Sequence, residues 1–377
     1  MDTLISQLVH ATQPVLPERL NYRIGIIGAG FIVENCHLVA YRNAGFTPYA
    51  ITAKEPGQSK KLAQTFSIPH HYAHWQEMVC DPNVEIIDIA VPPHVQLEIV
   101  RFICAKNSPA KHIKGILCQK PLAMSLAEGC EIVRLSKQSG IPVAVNSNMR
   151  YDPSIRALKY ILENQLIGEP VIASIDMRAI PDWQAFLTQY NKLELYAMAI
   201  HHIDAFRFLF GNPQKITAIC RTDPRTPFTH LDGITQYSFQ YANGLIATSL
   251  DDVWAWPGEP CGKNNYINWR VEGTDGLAEG DFGWHRRPPE YCGSTLRLAT
   301  RDTPNAWVTP QWQRQWFPDA FTGTMASLLC AIEQNREPEI SAVDNLDTLA
   351  CIEACYTSIK EERTVYLSEI SVEKKYD

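Results

Sequence analysis

The sequence predicts an α/β chain: an N-terminal doubly wound parallel sheet, then an α/β domain on an open, mostly antiparallel sheet. Three observations predict it. A short apolar run over 24–27 enters a tight turn at Gly28-Ala29-Gly30 and leaves it as a helix-compatible segment. Strand-like and helix-like segments then alternate to residue 146, the mark of parallel βαβ units. Beyond residue 210 the chain turns to successive long strands, with a hairpin signal at Tyr241-Ala-Asn-Gly-Leu245, since Asn-Gly tolerates positive φ.

Taken in order, residues 1–20 read as a short arm closed by Pro14 and Pro17. After the glycine turn come a helix over 32–43, an apolar strand over 48–53, a polar helix over 58–66 and a short strand at 70–72. The near-continuous apolar run VEIIDIAV, residues 84–91, ends at Pro92-Pro93, as a strand buried on both faces does. A helix over 95–105, a strand over 115–118, a helix over 125–139 and a strand over 143–146 complete a first domain of residues 21–146. The second domain, 147–377, opens with a helix over 154–164 and a strand over 171–178. An irregular tract rich in Trp and Tyr follows. A helix over 201–210 ends at Gly211, a suitable C-cap. Strands over 215–222, 233–241, 244–252 and 266–273 precede closing helices over 322–334 and 344–360.

Bulk properties exclude several classes. At 377 residues the chain exceeds one ordinary core. With 45% hydrophobic and 20% charged residues it reads as globular. No apolar run approaches the ~20 residues that span a bilayer, and the N-terminus has neither a basic segment nor an apolar core of a signal peptide. Lys plus Arg number 34 against 41 Asp plus Glu, a net −7, with no basic tract, so no nucleic-acid partner is expected. The 11 cysteines are scattered and contain no C-x-x-C, which favours cytoplasmic thiols over a disulfide framework. His70, His71 and His74 invite a metal reading, but no Cys or acid cluster accompanies them, and no metal is expected.

The glycine turn carries the first chemistry. Gly28 can take backbone angles forbidden to side chains, Gly30 lets the main chain approach a pyrophosphate, and the helix start at Phe31 and Ile32 faces the anion with free N–H groups. The third small residue of that fingerprint is replaced by Val33. At the end of the second strand, where NAD-binding sites place an acid for the ribose hydroxyls, stand Thr52, Ala53 and Lys54. A hydroxyl and an ammonium without a carboxylate favour NADP(H) over NAD(H). Glu55 becomes the NAD-favouring acid if the register shifts by two.

At Gln119-Lys120-Pro121 the chain resembles the Gfo/Idh/MocA oxidoreductases, the family of glucose–fructose oxidoreductase and inositol dehydrogenase, whose motif is Glu-Lys-Pro. The resemblance includes IGIIGAGFI, IDIAVPP, KGILCQKPLAMSLAEGCEIV, VNSNMRYDPSIRALKYILENQLIGEP, IHHIDAFRFLFG and SAVDNLDTLACIEACYTSIKEERTVYL, nearly the whole chain. It implies a Rossmann domain, NAD(P)-linked oxidation or reduction of a sugar, cyclitol or related polyol, and an active site near the nicotinamide where the domains meet. It also implies a homodimer or homotetramer built through the C-terminal sheet. Lys120 and His201 take the family's catalytic places, His201 within His201-His202-Ile203-Asp204. Cofactor contacts are expected from Gly28, Gly30, Phe31, Ile32, Thr52, Lys54, Val91, Pro92, Gln119, Lys120 and Asn148. Substrate contacts are expected from Lys120, Arg150, Tyr151, Trp183, Tyr196, His201 and Asp204, with core or interface packing the competing reading for each aromatic, Tyr190 included.

Two departures stand out. Gln119 removes a negative charge beside Lys120. Ala197 stands where the family usually has an Asp one helical turn before the histidine. On a helix Asp204 would lie on the same side as His201 and could orient it, while Glu194, two turns away, is too far for direct contact. The altered site leaves two rival readings: a non-catalytic dinucleotide-binding regulator, or redox-assisted sugar chemistry that recycles the cofactor.

Overall fold

The computed structural model describes residues 2–179, 185–253, 265–283, 292–303 and 305–370. The chain divides into two compact units. One comprises Pro14–Asn148 and Phe317–Leu349; the other comprises Met1–Gln13, Met149–Trp316 and Ala350–Ser371.

The first unit carries a six-stranded, all-parallel sheet built from β1 (Arg23–Ile27), β2 (Thr47–Thr52), β3 (His70–His71), β4 (Ile86–Ile89), β5 (Gly115–Cys118) and β6 (Val143–Val145), in the order β3-β2-β1-β4-β5-β6. The order reverses at β1, so the crevice beyond the carboxyl ends of β1 and β4 is the ligand-binding point of such a sheet. All four residues of β4 and of β5 are buried, which is why their sequences read as apolar runs. A helix at Trp75–Cys80, absent from the sequence reading, adds Met78 and Val79 to this core. The closing helix Ala320–Glu333 packs beneath β5, where a Cβ on Gly115 would meet Ile332 at 2.7 Å.

The second unit carries an eight-stranded sheet. Its strands are β7 (Pro170–Arg178), β8 (Lys215–Arg221), β9 (Ile234–Gln240), β10 (Ile246–Asp252), β11 (Tyr266–Gly273), β12 (Gly276–Asp281), β13 (Thr295–Thr300) and β14 (Val365–Tyr366), ordered β13-β12-β11-β7-β10-β9-β8-β14. Only β7 and β10 run parallel; every other pair is antiparallel. The expected hairpin joins β9 to β10, with Gly244 at φ 92°. Helices cover one face. The other exposes Ile172 and Ile246, register partners on β7 and β10, and a groove of about 510 Å³ bordered by Ser174, Asp176, Arg270, Glu279 and Arg297.

Three local features differ from the sequence reading. The arm expected over 1–20 begins with a helix, Asp2–Ala11, whose Leu8 is fully buried and which packs on the helix Pro153–Glu163. The helix after the glycine turn widens into a π-turn over Val33–His37 before continuing as Leu38–Ala44. β12 and β13 lie in a stretch to which the sequence reading assigns no element; a Cβ on Gly280 would strike Trp269 and the Thr295 carbonyl.

Candidate active site

In the first unit the glycine turn is shaped by contact as well as by conformation. Gly28 has φ 129°, donates its N–H to the Thr52 carbonyl at 2.8 Å, and would bring a Cβ to 2.2 Å from the Ala90 carbonyl oxygen. Only glycine fits. Gly30 differs: a Cβ there would meet nothing within 4 Å. The space beside it is open, and the helix that begins at Phe31 has its N-terminus there, where the amides of Phe31 and Ile32 can meet an anion. Phe31 is exposed and Ile32 half-buried, while Val33 is fully buried in the core and its N–H bonds the Gly30 carbonyl. An open cradle at a helix N-terminus fits a dinucleotide pyrophosphate.

Thr52 is buried at the end of β2, Ala53 is half-buried and Lys54 is exposed. Val91 and Pro92 are half-buried where β4 gives way to the helix Pro93–Cys104. Asn148 is buried, its amide donating to the Asn146 carbonyl. His70, His71 and His74 all lie exposed; His71 Nε2 is 3.2 Å from the Pro56 carbonyl and His70 packs on Tyr49.

Lys120 leaves the carboxyl end of β5 half-buried, followed by a cis peptide bond to Pro121. Burial pulls its ammonium down to about 8. The Gln119 N–H donates to the Ile89 carbonyl at 2.9 Å, and its side-chain oxygen is buried without a partner among the described residues. A residue that the sequence reading passed over holds this loop. Gln96 is fully buried, and its amide nitrogen lies 2.9 Å from the Gln119 carbonyl and 2.8 Å from that of Pro121. The signal was present: Gln96, Ile99, Val100 and Ile103 share one helical face, so a polar residue was directed into the core.

In the second unit His201 is buried in the first turn of a helix, Ala199–Phe210, with the Trp316 ring set edge-on at 5.5 Å. Ala197 lies in a separate short helix, Glu194–Ala197, and Met198 at φ −120° breaks the two apart. The one-turn spacing from Ala197 to His201 therefore does not run along a single helix. Glu194 caps the histidine's helix across that break. Its Oε1 accepts the Ala199 N–H at 3.0 Å and its Oε2 accepts the Thr235 hydroxyl at 2.5 Å. Burial first, and then the carboxylates of Asp251 and Asp232, hold its carboxyl well above the usual range. Asp232 accepts the N–H groups of Leu193 and Leu195 and the Tyr356 hydroxyl. Asp251 accepts His202 Nδ1 at 2.8 Å.

Asp204 is engaged bidentately by Arg150, with both N–O distances 2.7 Å and both side chains 4% exposed. This pair fastens the turn at Asn148–Tyr151 to the histidine's helix. Tyr151 is buried under the Arg156 guanidinium. Tyr196 is buried, stacks on Tyr356 and donates its hydroxyl to Glu353 at 3.1 Å. Tyr190 packs on Phe186. Trp183 lies outside the described residues.

A parallel sheet with an open glycine cradle at its switch point, and a lysine loop at the end of a neighbouring strand, define a nicotinamide-linked oxidoreductase. The chain belongs to the Gfo/Idh/MocA family: the model of that oxidoreductase family's NAD-binding Rossmann fold matches residues 22–147, and that of its C-terminal α/β domain matches 162–367. A D-apiose dehydrogenase of Paraburkholderia graminis is 25% identical, covering 98% of this chain and 95% of that protein. A levoglucosan dehydrogenase of Pseudarthrobacter phenanthrenivorans is 26% identical over 80% of each chain. An oxidoreductase from Agrobacterium radiobacter in complex with NAD+, L-tartaric acid and magnesium superposes with a TM-score of 0.77 at 22% identity, covering 93% of this chain and 99% of that one. A levoglucosan dehydrogenase in complex with NADH and L-sorbose gives 0.77 at 20% identity, with the same coverage. Among the described residues no helix is long and apolar enough to cross a membrane.

Proposed function

We propose that this chain transfers a hydride between NADP(H) and a CH–OH carbon of a sugar, cyclitol or related polyol. The observation that carries this reading is Lys120: a half-buried lysine on a clamped loop at the end of a parallel strand, its ammonium lowered to about 8. A group of that kind can hold or release a proton near neutral pH. The bound nicotinamide supplies the hydride chemistry. Lys120 donates to the reacting oxygen and steadies charge on it, and His201 takes or returns the hydroxyl proton. Gln119 contributes a neutral acceptor where a carboxylate would raise the lysine. The sugar dehydrogenases among the relatives support the substrate class.

NADP(H) is favoured because Ala53 offers no carboxylate against a 2′-phosphate and Lys54 stands exposed to meet one. The ten described cysteines are free thiols, which supports a reducing, cytoplasmic setting. Ile172 and Ile246 on the open sheet face support a homodimer or homotetramer through that face.

Titration with NADPH and NADH should quench or enhance nicotinamide fluorescence, NADPH at the lower concentration; an equal or tighter NADH would overturn the cofactor preference. A panel of sugars, lactones and cyclitols should then give turnover that Lys120→Ala lowers by roughly 10²–10⁴-fold. Ala197 favours one rival, the dinucleotide-binding regulator, and binding without turnover across the panel would select it.

A further inference from the structure

We propose that Gln96 is a positioning residue for Lys120, its buried amide fixing the loop that presents the lysine. The inference rests on the reading of Lys120 as the group that handles the reacting oxygen. Gln96 is fully buried in the first turns of Pro93–Cys104, on the face shared with Ile99, Val100 and Ile103. From there one amide nitrogen reaches the carbonyls of Gln119 at 2.9 Å, Pro121 at 2.8 Å and Leu122 at 3.3 Å. An amide has two N–H groups, so the two short contacts take the hydrogens and the Leu122 carbonyl lies at the margin. Those two carbonyls stand immediately before and after Lys120. With the Gln119 N–H tied to the Ile89 carbonyl, the backbone around the lysine is held from β4 and from the helix alike.

The clamp comes at a cost. Gln96 Oε1 is buried with no partner among the described residues, and an unmatched buried acceptor is destabilising. A leucine on this face would pack without that cost. It would also strip the donor from both carbonyls beside Lys120. The chemistry of the clamp matters as well as its shape. A lysine or arginine at position 96 would place a second cation by Lys120 and a glutamate would oppose the carbonyls, whereas a neutral amide fixes the loop and leaves the lysine's charge unaltered. Where a core position accepts an unsatisfied polar atom, the gain is sought in function.

The test compares wild type with Gln96→Leu and the nearly isosteric Gln96→Glu, each saturated with NADPH. Lys120 is followed by ¹³C-methyl NMR after reductive methylation, with Lys120→Arg identifying its signal. Freed of the clamp, Lys120 should reach water and titrate about one unit or more higher, toward an ordinary lysine. On an active substrate, kcat should fall by roughly 10–100-fold, while the substrate KM and the NADPH affinity stay within about threefold, as expected for a misplaced group at the chemical step. If both folded variants leave the Lys120 titration where it was, the inference is overturned. A loss confined to KM would overturn it too. A wild type that turns over no member of the panel would sink the proposed function instead, and the titration would still decide the role of Gln96.

Discussion

Lys120 leaves β5 on a loop clamped by a neutral amide, whereas His201 rides a helix whose surroundings are fastened by buried carboxyl groups, one of them in the Arg150–Asp204 ion pair. Around the lysine, Gln96 binds backbone carbonyls, and burial is the cause of the lowered ammonium. Around the histidine, Asp232 holds the backbone of Leu193 and Leu195, Glu194 caps the helix at Ala199, and Asp204 ties that helix to Arg150. The difference matters because stranding a buried charge costs far more than losing a neutral bond. Stability should therefore be most sensitive on the histidine side and chemistry most sensitive on the lysine side.

The largest expected stability effect follows from the Arg150–Asp204 pair. Asp204→Ala leaves the Arg150 guanidinium, 4% exposed, without its bidentate partner, and should cost about 3–5 kcal/mol. Replacing both, as Arg150→Met with Asp204→Leu, removes the charges together and should recover most of that loss. Urea unfolding of the two variants measures it. If the double variant is as unstable as the single one, the pair is not what makes this region sensitive, and the contrast with the lysine loop falls.

A smaller and pH-dependent effect is expected at Asp152, two residues after Arg150. It caps the helix Pro153–Glu163, accepting the Ser154 N–H and hydroxyl, yet it is fully buried and burial lifts its carboxyl to about 7. A carboxyl raised in the fold adds stability that is complete below its unfolded value near 3.9 and is lost as pH rises through about 7. Asp152→Asn keeps a cap acceptor and cannot ionise. Relative to wild type it should gain stability between about pH 4 and pH 7, by at most about 1.4 kcal/mol per pH unit, and gain nothing near pH 3. A flat difference across that range would show that Asp152 is ionised throughout.

The two regions also differed in how far they could be read from sequence. The parallel, doubly wound sheet of the first unit follows from alternating apolar runs and helices, and Lys120 falls at the end of β5 as the pattern predicts, because buried parallel strands leave an unbroken apolar signature. The histidine side hides its organisation. Ala197 and His201 look one turn apart, but the break at Met198 is set by Glu194 and Asp232, and the bond joining Asp232 to Leu193 spans 39 positions of sequence. Arg150 and Asp204 pair across 54 positions, so each read alone as a substrate contact. β12 escaped because its glycines, which make room for Trp269, look like loop. The helix Asp2–Ala11 escaped because its apolar face, which buries Leu8, is short and is soon followed by Pro14 and Pro17.

Tyr196 carries the smallest effect and draws the line between the two regions most finely. Its ring stacks on Tyr356 and its hydroxyl donates to Glu353, so it belongs to the polar framework behind the histidine helix. Tyr196→Phe keeps the ring and deletes one hydrogen bond, and should cost about 0.5–1.5 kcal/mol, with the sugar KM unchanged. Glu353 also meets Lys192 at 3.3 Å, so its carboxylate keeps a partner in the variant and the loss should fall at the lower end of that range. A KM raised severalfold with unchanged stability would instead place the Tyr196 hydroxyl on the substrate, and the framework behind His201 would then share its surface with the chemistry.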